Sequence, residues 1–220
     1  VKRVDEAVAQ VSSGFVFPQR EESSELRRQV NAFLAEAKAD GTINRLIEKW
    51  LGDTEPTEHP AYSRLTGENG TIHLAISVDN KPLLYQTAEG YTGFEMELLT
   101  LFGQYAGYAY DIEVVPFESI IAGISSGKYD MAASALNITP EREESVDFSD
   151  PYAAFDVVMV TKGEQDERTF TKLSDLETAR LGIVTGTHYD FIAQKRFPNA
   201  ERKYFSSAAD AMLALEQGKI

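Results

Sequence analysis

The sequence has 220 residues, 43% hydrophobic and 10% aromatic, which is enough for a packed core in one or two domains. A formal net charge of -14 argues against nucleic acid and anionic lipid as partners, and zero cysteine excludes disulfides and thiolate-held zinc. No run approaches the roughly 18 apolar residues of a spanning helix, and the opening VKRVDEAVAQ is too polar for a signal-peptide core. His59, His73 and His188 stand at no metal-ligand spacing, so neither a metal nor another cofactor is expected.

Residues 1–12 read as a short amphipathic piece, and SGFVFP as a strand stopped by proline. Ser23 or Ser24 is the expected cap of a helix whose Leu26, Val30, Phe33, Leu34 and Ala37 share one face. Asp40-Gly41 breaks it, and Ile43, Leu46, Ile47 and Trp50 form the stripe of a second helix ending at Gly52. DTEPTEHPAYSRLTGENG has two prolines, two glycines and no apolar periodicity, so it reads as the linker. The expected division is 1–54, a linker at 55–70, 71–157 and 158–220.

From Thr71 the pattern alternates strand and helix, which implies mainly parallel sheets covered by helices. TIHLAISV, DIEVVPF and DMAASAL read as strands, and TGFEMELLTLFGQYAG and 117–126 as helices, the second stopped by Gly127. FDVVMVTKG is a long apolar strand, a candidate connection between two lobes. KLSDL, LGIVTG, a helix capped by Thr187, RKYF and a helix capped by Ser206 or Ser207 complete the chain. IAGISSGKYDM and AMLALEQGKI share one design: apolar helix, Gly-Lys stop, strand entry. A strand follows the first copy, and the sequence stops where the second should begin, so the last lobe is expected to be incomplete.

The stretch 117–152, FESIIAGISSGKYDMAASALNITPEREESVDFSDPY, gathers hydroxyls, an amide and a guanidinium just past a buried strand. In open α/β sheets ligands sit at the carboxyl ends of strands, and helix starts favour anions. Arg142 offers a planar fork that fits a carboxylate, or it pairs with Glu141, Glu143 or Glu144 at the surface. Asn137 and Thr139 follow the strand; Thr139 is also a good N-cap with or without a ligand, and Pro140 takes the favoured first helical position.

The order of GFEMELL, FESIIAGISSGKYDM, SALNITPEREESVDFSDPY, VVMVTKG, KLSDL and GIVTGTHYD resembles the bacterial amino-acid-binding receptors of solute-binding protein family 3. The resemblance implies a two-lobed type II periplasmic-binding-protein fold, α/β with mostly parallel sheets flanked by helices, that closes on a hinge near 154–157 over its ligand. Residues 14–52 resemble the strand and two helices that end this family and close its first lobe, yet here they come first. Either the chain holds the tail of one module and most of the next, or it is permuted and the tail packs on the following lobe.

The resemblance assigns Arg142 to a ligand carboxylate, Phe117 to stacking on the ligand side chain, and Ser134, Ala135, Asn137 and Thr139 to ligand contacts. Ala135 often carries a hydroxyl in relatives, so only its backbone could contribute. Thr187 would meet the carboxylate from the second lobe, or only cap its helix, and His188 follows it at the rim. NKPLLY replaces a usual aromatic and Pro-Phe pair with Asn80, Pro82 and Leu83, thinning one wall. The family aspartate for the ligand ammonium would fall after Ile220; Asp79 and Glu95 are the remaining acidic candidates, each also readable as surface or structural.

The expected function is an extracytoplasmic receptor module for an amino acid or small carboxylate, working with an ABC permease or a fused membrane signalling domain. It would touch the membrane only through such a partner or an anchor. No Ser-His-Asp set, phosphate loop or close carboxylate pair stands out, so no enzyme is expected, although the family's fold also hosts dehydratases. A ligand-degenerate module that transmits conformation or binds a protein is the other alternative.

Overall fold

A computed structural model of the protein describes residues 1–52, 56, 60–163, 170 and 172–220. Residues 53–55 and 57–59 of the expected linker region, with His59, lie outside the described residues. The chain forms two compact units, one of Ser12–Ala153 and one of Val1–Val11 with Ala154–Ile220. The elements in chain order are β1 (Lys2–Ser13), β2 (Val16–Pro18), α1 (Glu21–Ala39), α2 (Thr42–Leu51), β3 (Thr71–Ile76), β4 (Asp79–Asn80), β5 (Leu84–Thr87), β6 (Gly90–Thr92), α3 (Phe94–Ala106), β7 (Ala109–Val114), α4 (Ile120–Ser125), β8 (Met131–Ala133), α5 (Pro140–Glu143), β9 (Val146–Phe148), β10 (Ala153–Thr161), β11 (Arg180–Val184), α6 (Tyr189–Arg196), β12 (Glu201–Phe205) and α7 (Ala208–Glu216).

In Ser12–Ala153 the sheet order is β7-β3-β8-β2-β9. β3 runs parallel to both β7 and β8, while β2 runs antiparallel to β8 and β9. The strand from before the linker thus fills a slot between two strands from after it. Alternation along the strand explains the fit. Phe15 and Phe17 enter one core with Val30, Phe33, Leu34, Ile43, Leu46 and Trp50, and with Leu74, Phe94 and Phe102. Val16 enters the core on the other face with Ile120 and Ile124 of α4. The apolar stripes of α1 and α2 are those their periodicity predicts.

Helix starts depart from expectation. α1 begins at Glu21 without a side-chain cap. Ser23 is buried and its hydroxyl accepts from Arg20 Nε at 3.1 Å, while Ser24 donates to the Glu21 carbonyl at 2.6 Å. α3 begins jammed against the β4–β5 turn: Phe94 N–H donates to the Pro82 carbonyl and Glu95 N–H to that of Leu83. Gly93 makes this approach possible, because at φ +117° an added Cβ would lie 2.5 Å from Leu83 O. Gly93→Ala is therefore expected to destabilise the fold by about 2 kcal/mol or more, read as a lower urea midpoint; an unchanged midpoint would mean the turn yields freely.

In the second unit β11 and β12 pair in parallel from Arg180↔Glu201 to Val184↔Phe205. Leu181 and Ile183 share a core with Leu173, Leu176, Ile192, Phe197, Val4 and Val8. β1 pairs with β10, which corrects the single 1–54 piece: residues 1–11 belong with 154–220, while Ser12 and the residues after it belong with the other unit. The reason is alternation again, since Val4 and Val8 of β1 are buried among the residues of that core.

Candidate functional site

β8 ends at Ala133, and the chain then carries Ser134 to Arg142 across the end of the sheet. Thr139 opens α5 with extended backbone, its Oγ1 accepting from Arg142 N–H at 3.3 Å, and Pro140 follows at the first helical position. This cap sends the Arg142 side chain back over its own turn. Nη1 donates to the Asn137 carbonyl at 2.9 Å, and the guanidinium carbon stands 5.8 Å from the Phe117 ring centroid. Phe117 reaches this place from the short 3-10 turn Phe117–Ser119 before α4. The half-buried guanidinium is thus held by a carbonyl and an aromatic face, a geometry that limits the rotamer entropy lost on gripping an anion.

Phe117, Asn137, Thr139 and Arg142 come together in this way. Ser134 and Ala135 lie behind them. Ser134 is buried, and its Oγ accepts from Ser77 N–H at 2.6 Å and donates to the Ser77 carbonyl at 3.3 Å, tying the end of β8 to that of β3. Ala135 has a left-handed backbone at φ +48°, and its N–H donates to Glu95 Oε2 at 2.8 Å. The contacts expected from the Ser134 hydroxyl and the Ala135 amide are thus spent inside the protein.

Ser13 and Tyr152 at this site escape the sequence reading, and Glu95 reads there only as a candidate negative charge or as a surface or structural acid. Ser13 forms an antiparallel bridge with Asn137, and its hydroxyl lies 3.4 Å from both Asn137 Oδ1 and the Ala135 carbonyl. Glu95 is fully buried at the start of α3, where its Oε1 accepts from the Tyr152 hydroxyl at 2.6 Å. Burial raises the Glu95 carboxyl from 4.5 to about 7 against the opposing effect of its hydrogen bonds. Burial, helped by Glu95, also pushes the Tyr152 hydroxyl above its ordinary range. No sequence signal separates Glu95 from an exposed acid complementing a helix start. Asp79, the other acidic candidate, is exposed on β4.

In the second unit Thr187 does not cap α6. Its hydroxyl donates to the Val184 carbonyl at 2.6 Å, closing the turn after β11, and the cap position falls to His188. The His188 ring stacks on Phe191 at 5.3 Å. Among the described residues no group of His, Asp or Glu could hold a metal ion, and no helix is long and apolar enough to cross a membrane.

Residues 72–217 match the family described as bacterial extracellular solute-binding proteins, family 3. The chain is 31% identical over 114 residues to the arginine-binding extracellular protein ArtP of Bacillus subtilis (strain 168), covering 52% of this chain and 44% of that protein. It is 30% identical over 217 residues to the virulence sensor protein BvgS of Bordetella pertussis (strain Tohama I), covering 94% of this chain and 17% of that protein. The crystal structure of the ancestral amino acid-binding protein AncCDT-1, a precursor of cyclohexadienyl dehydratase, is similar at TM-score 0.60 and 26% identity, over 73% of this chain and 72% of that one. An ancestral arginine-binding protein bound to arginine gives TM-score 0.56 at 25% identity, over 69% and 67%. The chain spans about half the length of the curated binding proteins it matches.

Proposed function

Because the chain belongs to the bacterial extracellular solute-binding proteins of family 3, we propose that it is a receptor module for an amino acid or similar small carboxylate. The observation that carries this reading is the Arg142 guanidinium, held between the Asn137 carbonyl and the Phe117 ring beyond the end of β8. There it grips the ligand carboxylate while Phe117 packs on the ligand body. Thr139 orients the guanidinium by capping its helix.

The module acts outside the cytoplasm and is not an enzyme. Acid catalysis needs a carboxyl of raised pKa that reaches the ligand. Glu95 has the raised pKa, but its oxygens are engaged by the Ala135 amide and the Tyr152 hydroxyl. The chain serves an ABC permease or a signalling domain. The match to BvgS over 94% of the chain takes in most of residues 14–52 in the same order, and it favours the sensor.

Calorimetry of the 220-residue chain with a panel of L-amino acids and small carboxylates tests this. The best ligand is expected to lose on the order of 100-fold in affinity in Arg142→Ala, the loss of a charge-assisted bidentate pair. Arg142→Lys should fall between, keeping the charge without the fork. Equal binding by Arg142→Ala at unchanged thermal stability would defeat the carboxylate reading, and turnover of a panel member would defeat the non-enzymatic one.

A further inference from the structure

The receptor reading leaves Glu95 without a task, although few carboxylates are so completely enclosed. Its Oε2 holds the N–H of Ala135, which among the described residues is the non-glycine residue with left-handed backbone. That conformation costs on the order of 1 kcal/mol or more and persists only where neighbours enforce it. Here the amide is gripped by Glu95, and the carbonyl faces the Ser13 hydroxyl at 3.4 Å. Two residues on, Asn137 pairs with Ser13 and offers its carbonyl to Arg142 Nη1. A continuous run of contacts therefore leads from Glu95 through Ala135 and Asn137 to the guanidinium.

We propose that Glu95 is a positioning residue of this site: its carboxylate fixes the left-handed turn at Ala135, and through it the Asn137 carbonyl that aims Arg142, so that protonating Glu95 loosens the clamp. The proposal rests on the reading of Arg142 as the carboxylate-binding group. The chemistry supports it. An N–H bond to an ionised carboxylate is roughly twice as strong as one to a neutral acid. On protonation one oxygen still accepts from Ala135, while the other donates toward Tyr152, so the turn is held by a weaker bond rather than released.

The other charged and titratable groups packed around α3 are engaged elsewhere. Glu97, on α3 itself, meets Lys49 and Trp50 of α2. Glu36 of α1 accepts from Tyr105, Tyr110 of β7 donates to the Leu99 carbonyl, and the Tyr85 ring of β5 lies under Lys81. Arg64 belongs to the short turn whose neighbour Leu65 covers Gly103. Tyr152 is the titratable side chain that meets the Glu95 carboxyl.

The test is an amide NMR titration of the 220-residue chain from pH 5 to 9, with L-arginine binding measured at both ends. In the wild type the Ala135, Asn137 and Arg142 amides should titrate together with a midpoint of about 7. In Glu95→Gln all three should be flat. Tyr152→Phe keeps the carboxyl but removes one bond to its charged form, so it should move the common midpoint upward. L-arginine affinity should rise severalfold between pH 6 and pH 8 in the wild type and stay level in Glu95→Gln. Titration confined to Ala135, or an affinity that ignores pH while the amides titrate, overturns the positioning role. Complete absence of L-arginine binding counts against that ligand alone, and the three amides then decide.

Discussion

A chain cut to residues 56–220 is expected to lose the cooperative unfolding of the unit built on β3, β7 and β8. A peptide of residues 12–52 added in trans should restore it. The missing piece supplies β2, the strand between β8 and β9, together with α1 and α2. Phe15, Phe17, Val30, Phe33, Leu34, Ile43, Leu46 and Trp50 all enter the core shared with Leu74, Phe94 and Phe102. At about 1.5–3 kcal/mol for each buried side chain, their sum matches or exceeds the roughly 5–15 kcal/mol that keeps a domain folded. Loss of β2 also leaves the facing edges of β8 and β9 without partners. Trp50 is the single tryptophan of the sequence, and its indole N–H donates to Glu97 of α3. Docking of the peptide is thus read as a blue shift of its own fluorescence. Hydrogen exchange along α3 separates this effect from loss of the β1 contacts in the other unit. Unaltered protection of α3 in the 56–220 chain would show that the upstream piece is dispensable.

The second large effect concerns stability rather than binding. Glu95→Gln should make the protein more stable than the wild type at pH 8 and leave it nearly unchanged at pH 5. The folded protein raises the Glu95 carboxyl from 4.5 to about 7 because burial disfavours the charge. Between those values the folded state binds a proton that the unfolded state has released, so stability is greatest below the unfolded value and falls as pH rises toward about 7. A shift of this size corresponds to about 3 kcal/mol at full ionisation. Glutamine keeps an acceptor for Ala135 and a polar contact for Tyr152 without the buried charge. Urea unfolding of both proteins at pH 5, 6, 7 and 8 gives the comparison. A gap between them that stays constant across this range would place the Glu95 ionisation outside it. Such a gain in Glu95→Gln would fit the proposed positioning role, in which stability is given up for the site.

Much of the fold was legible because it rests on period and punctuation. The stripe Val30, Phe33, Leu34 and Ala37, the stop at Gly127 after α4, and the Thr139-Pro140 start of α5 each announce an element through local chemistry. The nearness of Asn137, Thr139 and Arg142 was legible for the same reason, since a cap and a strand end place them, whereas Phe117 joined them only through the family resemblance. What stayed hidden depends on partners distant in sequence. Ser134 reads as a free hydroxyl until Ser77 takes it, and Glu95 reads as a surface acid until Ala135 and Tyr152 enclose it. Thr187 missed its capping role by one residue, because its hydroxyl found the Val184 carbonyl first. Helix ends commonly shift by that much.

The slot that β2 fills also sets a schedule for biosynthesis. Val16 pairs with Ala132 and Phe148, so the strand waits for partners made more than a hundred residues later. At roughly 5–20 residues per second of translation, the delay is on the order of 5–25 s. Until then the apolar faces of α1 and α2, with Phe15 and Phe17, have at most part of their sheet to cover. Contacts so far apart in sequence also slow closure of the sheet. The nascent chain therefore carries this apolar segment ahead of its sheet partners, and its yield should depend on how well chaperones shield that segment until β9 emerges.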